Sequence, residues 1–168
     1  SNIMEHQRAF PTNIFIGDDF INSLEGPEYT DGLIQGMKKY IEKEWAKRDK
    51  NKPNFQTHPF LYNEKEFIPL ADLILKNNLK NMKTLKYNVE LENLFMSGMW
   101  ANIIGPGEMH RAHTHSNNLW SGVYYLHSDQ NAGITFQDPR PAADVLIPRK
   151  LEHTTENSNL LLYASKMN

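Results

Sequence analysis

The sequence contains no cysteine, which excludes disulfides, Cys-ligated zinc, iron–sulfur clusters and thiol nucleophiles together and suits a reducing compartment. Any metal is left to histidine and carboxylate ligands. No apolar run approaches the roughly 20 residues that span a bilayer, and the opening Ser1-Asn2-Ile3-Met4-Glu5-His6 has neither the basic nor the apolar region of a signal peptide. A cytoplasmic protein is the expectation. A charge excess is also missing. Eighteen Lys+Arg against twenty Asp+Glu leave a net charge of −2, so no bulk positive field exists to hold nucleic acid or an anionic membrane. Ser nucleophile elbow, P-loop and dinucleotide Gly fingerprint are absent as well.

What is present describes a folded domain. With 168 residues, 39% hydrophobic, 11% aromatic and 23% charged, the chain can bury one core and reads as a single domain, 1–168. Pro27 suits a first helical turn, and Leu33, Ile34, Met37, Ile41 and Trp45 recur at three- and four-residue steps, which predicts a core-packed helix over 27–47. The charged stretch 48–54 ends in Lys-Pro-Asn and reads as a loop. A second helix is expected over 64–83, with Phe67, Ala71, Ile74, Leu75, Leu79 and Met82 on one face and lysines toward water.

The rest reads as β. Phe10 to Gly17 suggests an opening strand, and from Tyr87 the helical period gives way to short apolar and aromatic runs at 94–104, 120–126, 134–136, 145–147 and 160–163. Gly105-Pro106-Gly107 and the segment from Asp129 to Gly133 supply turns. The fold class expected is therefore mainly β with supporting helices (α+β). Its helical support lies mainly in 27–83, packed on one face of a β core mainly in 87–168.

Four of the seven histidines, His110, His113, His115 and His127, fall within one short stretch of that β half. In a strand, residues two apart point to the same side, so His113-Thr114-His115 presents two imidazoles to one face. A metal could bridge them; the plainer reading is a pair of exposed polar residues.

Three blocks carry a resemblance. Trp100-Ala-Asn-Ile-Ile-Gly-Pro-Gly107, His113-Thr-His-Ser-Asn-Asn-Leu-Trp-Ser-Gly-Val-Tyr-Tyr-Leu126 and Gly133-Ile-Thr-Phe-Gln-Asp-Pro-Arg140, in that order, resemble the family of 2-oxoglutarate and Fe(II)-dependent oxygenases. The opening Phe10-Pro-Thr-Asn-Ile-Phe15 resembles that family's first strand, which extends the likeness over most of the chain. The resemblance implies a double-stranded β-helix, or jelly roll, with iron in its mouth. It implies hydroxylase-type oxidation of an unknown substrate, with Fe(II), 2-oxoglutarate and dioxygen as small-molecule partners; self-association is left open.

The same resemblance assigns residues. Ferrous iron sits on two His and one carboxylate, with open positions for the keto acid and dioxygen, and His113 takes the first ligand position. His115 stands where the superfamily's strand motif carries Asp or Glu. Either His115 coordinates directly, the preferred set because it shares the face of His113, or Asp138 supplies a carboxylate. Tyr125 and Asn102 are candidates for binding 2-oxoglutarate, and Arg140 is read as the structural partner of Asp138. The family's distal His and the Arg that follows it are not found. His153 is read as a loop histidine, residues 141–168 as the family's connecting segment, and the roll as incomplete at its C-terminal end.

Two other readings stay in view. Gly107, five residues and His113-Thr-His115 also fit the first part of a cupin motif, although Leu119 and Trp120 stand where its Glu belongs, which suggests a metal-dependent cupin dioxygenase or isomerase. A non-catalytic β-sandwich binding module is the third.

Overall fold

The computed structural model describes residues 3–18, 20–104, 118–127, 133–140, 148–158 and 160–164, and the chain divides into two compact units, Ser1–Ser121 and Gly122–Asn168.

In the first unit, helix α1 spans Pro27–Ala46, close to the expected 27–47. Its start is fixed twice: Pro27 occupies the first turn, where a missing N–H costs nothing, and Gly26 takes a φ of 131° that side-chain-bearing residues rarely adopt. Glu28 in the first turn and Lys43 in the last complement the helix dipole. Met37 is 1% exposed and anchors the buried stripe. Trp45 departs from the expected core role: it is 40% exposed and carries the Arg48 guanidinium 3.5 Å above its ring.

Helix α2 spans Ile68–Thr84 and begins four residues later than expected, because Pro69 sets the first turn while the Glu64 carbonyl accepts the Phe67 and Ile68 N–H groups. Its buried face is Leu70, Ala71, Leu73 and Met82, rotated from the predicted stripe toward Leu70 and Leu73. These side chains join Ile21, Met37, Leu61 and Phe67 as the buried apolar residues. Leu61 lies in a short 3-10 turn, Leu61–Asn63, between the helices in sequence. Among the described residues, no helix is long and apolar enough to cross a membrane.

Strands β1 (Phe55–Gln56) and β2 (Asn102–Ile103) pair antiparallel, Phe55 against Ile103 and Gln56 against Asn102. The pairing continues outside the regular ladder. Thr57 N–H donates to the Ala101 carbonyl at 3.0 Å, Met99 N–H to the Pro59 carbonyl at 2.8 Å and Leu61 N–H to the Met99 carbonyl at 3.0 Å. The buried Thr57 hydroxyl accepts the Ala101 N–H at 2.9 Å and donates to the His58 carbonyl at 3.0 Å, so its polar atom is satisfied. Residues 99–103 are thereby stitched along 55–61.

The second unit contains strands β3 (Gly133–Gln137) and β4 (Leu160–Ala164), antiparallel with Gly133 opposite Ala164 and Gln137 opposite Leu160. Ile134 and Phe136 are half-buried while Gly133, Thr135 and Gln137 are exposed, the alternation of a sheet with one covered face. The expected strands 134–136 and 160–163 are present here.

No jelly roll is formed among the described residues, where helix outweighs strand, 35% against 10%, and the two sheets are small and open. Residues 10–17 and 120–126 form no ladder, only 102–103 of the expected 94–104 lies in a named strand, and 145–147 lies outside the described residues. Strand composition reflects fit to a pleated, half-buried surface. Among the described residues, 10–17 and 120–126 find no partner strand and remain irregular.

Candidate functional site

His110, His113 and His115 lie outside the described residues. The structure does place the two flanks of their segment. On the N-terminal side, β2 is held to β1, and Gly98 lets the Trp100 ring approach so closely that a Cβ there would meet Cζ3 at 3.2 Å. On the C-terminal side, the Ser97 hydroxyl donates to Asn118 Oδ1 at 3.1 Å. Trp120 meets the Phe15 ring edge to face, with centroids 5.7 Å apart. Its indole N–H is buried with no hydrogen-bond partner among the described residues.

The remaining predicted site residues fall in both units. Asn102 is exposed on β2 in the first unit. Tyr125 belongs to the second and is half-buried, and burial pushes its phenol pKa above the usual value, as it does for Tyr124. Asp138 is committed to Arg140, as the sequence suggests. Both of its carboxylate oxygens lie 3.1 Å from Arg140 Nη1, and Oδ1 also accepts the Arg140 backbone N–H at 3.0 Å. To coordinate a cation, Asp138 would have to give up part of that pairing. His127 and His153 are exposed; the loop around His153 is closed by Asn157, whose side chain accepts the Thr154 N–H at 2.9 Å and donates to the Glu152 carbonyl at 2.7 Å. Among the described residues, no three of His, Cys, Asp and Glu gather closely enough to hold a metal ion.

A constellation that the sequence reading missed stands in the helical unit. His58 Nε2 lies 3.0 Å from the Tyr40 hydroxyl and 3.3 Å from Glu64 Oε1, while His58 Nδ1 accepts the Phe60 backbone N–H at 3.1 Å. Because a backbone N–H can only donate, Nδ1 must be the unprotonated nitrogen and Nε2 carries the hydrogen. Tyr40 projects from α1, three residues after Met37, and its ring meets Phe67 edge to face at 5.4 Å. Burial raises the Tyr40 phenol pKa, followed by the negative charges of Glu64 and Glu44, a hydrogen bond to Glu64 and the charge of Glu66. The available signal in the sequence was faint: Tyr40 extends the helical stripe, but His58 carries no motif.

Compared with known families, residues 98–167 match the family model described as "Putative 2OG-Fe(II) oxygenase". That is under half of the chain, so the likeness does not extend over most of it as expected. No curated protein and no solved structure matches. The double-stranded β-helix on which such oxygenase chemistry depends is not formed by the described residues. The oxygenase assignment, and with it the hydroxylase activity, is therefore corrected. The cupin and β-sandwich alternatives require comparable rolled or stacked sheets and fall for the same reason.

Proposed function

We propose that this chain is a metal-binding domain that takes one divalent transition-metal ion through His113 and His115. The reading is one of binding, without a reaction attached. The observation that carries it is the His113-Thr114-His115 spacing inside the stretch that matches an iron-dependent family. Two neutral imidazoles suit a borderline-soft cation such as Fe(II), Co(II) or Zn(II), and the lack of cysteine leaves nitrogen and oxygen donors only. Ferrous ion is the first cation to test because the matching family's name contains it. 2-Oxoglutarate is the accompanying small molecule, with either Asn102 of the first unit or Tyr125 of the second as a candidate contact. His115 is preferred to Asp138 as the second ligand, since Asp138 already serves Arg140.

Titration with Fe(II) under anaerobic conditions, followed by calorimetry, tests the proposal. About one ion per chain is expected for the wild type and none for His113→Ala. Full occupancy in that variant would overturn the assignment. Because bound imidazoles must be neutral, affinity should also weaken as the solution is acidified.

A further inference from the structure

The Tyr40, His58 and Glu64 group sits outside the proposed metal segment, and its hydrogen-bond directions are fixed by the backbone. Two chemistries can be set aside first. With Nδ1 accepting an N–H, Nε2 holds the ring's only hydrogen, so the nitrogen beside Glu64 and Tyr40 has no lone pair for a cation. Tyr40, whose phenol pKa is raised, is likewise a poor nucleophile.

What remains is a proton-sensitive joint. In accepting the N–H of the residue two positions on, the imidazole copies the turn that an Asn or Asp side chain makes. That turn opens the stretch in which Pro59 and Leu61 bond to Met99, leading into β2. A second proton on His58 would have to go to Nδ1, where it would face the Phe60 N–H, donor against donor. The opposite edge gains from the charge, because Glu64 lies at 3.3 Å. The groups facing the ring are Tyr40 from α1 and Glu64 from the turn before α2, with Glu44 and Glu66 close to Tyr40. Protonation thus favours the Glu64 contact at the expense of the Phe60 contact. We infer that His58 is a pH-sensitive latch: taking up a proton releases the Phe60 N–H and loosens the pairing of residues 58–61 with Met99.

Amide hydrogen exchange of Phe60 in the full chain tests the latch when read as a protection factor, which removes the intrinsic pH dependence. Protection should fall by about tenfold between the singly and the doubly protonated ring, followed as the solution is acidified from neutrality, the effect of one neutral hydrogen bond. His58→Asn places a non-titrating oxygen near the Nδ1 position and should hold protection constant over the same acidification. Unchanged protection in the wild type, or an equal fall in His58→Asn, would overturn the inference. Should the variant fail to fold, the ring nitrogen shifts of the wild type decide: hydrogen on Nε2 alone at neutrality supports the latch, and hydrogen on Nδ1 there refutes it.

Discussion

At the scale of single residues, the phenols determine behaviour in alkali. Tyr40, Tyr124 and Tyr125 all have pKa values raised in the folded chain, chiefly by burial. A folded state that keeps a proton longer than the unfolded one is fully supported below the unfolded value of about 10, and loses that support as pH rises through the folded value. Stability should therefore decline above about pH 10. Tyr40→Phe removes one of the three contributions together with its hydrogen bonds. The variant should start about 1 kcal/mol less stable at neutral pH yet decline less steeply in alkali. Urea midpoints measured from neutrality to about pH 11 provide the comparison; parallel curves would show that Tyr40 plays no part.

At the scale of elements, the helices were legible and most strands were not. The apolar stripe and Pro27 bracket α1 to within a residue, because a helix's hydrogen bonds are local and its pattern is written in consecutive residues. A strand needs a partner elsewhere in the chain: Phe10–Gly17 and Trp120–Leu126 have strand-like composition, yet no second run pairs with them among the described residues. The site divides in the same way. His113 and His115 announce themselves by spacing, whereas His58 acquires meaning only when folding brings Tyr40 and Glu64 to it. Helix α1 also carries a reserve of stability. Gly32 and Gly36 lie within it, and a Cβ at either would meet nothing within 4 Å, so Gly32→Ala and Gly36→Ala should each add about 0.5–1 kcal/mol through helix propensity. Gly26 lacks that option, since its positive φ strains any side chain. Denaturant melts of both variants check the gain, and a loss at either position would mean that the helix is constrained by more than its own propensity.

At the scale of the whole molecule, the family match begins at residue 98, just before the segment 99–103 that is stitched along 55–61, and runs across the boundary into the second unit. The proposed ion ligands thus come later in the sequence than a strand paired to β1 within the helical unit, and ion binding is expected to be felt by that unit. A ligand that binds only the folded state stabilises it by about 2.7 kcal/mol at a concentration one hundred times its dissociation constant, which corresponds to several degrees in midpoint for a chain of this size. Helical circular dichroism is the suitable signal, because α1 and α2 both lie in the first unit. Manganous ion, a redox-quiet stand-in for ferrous ion, should raise the helical melting midpoint of the wild type and leave that of His113→Ala where it was. An equal rise in both proteins would place the cation elsewhere, and no rise in either would remove the metal-binding reading.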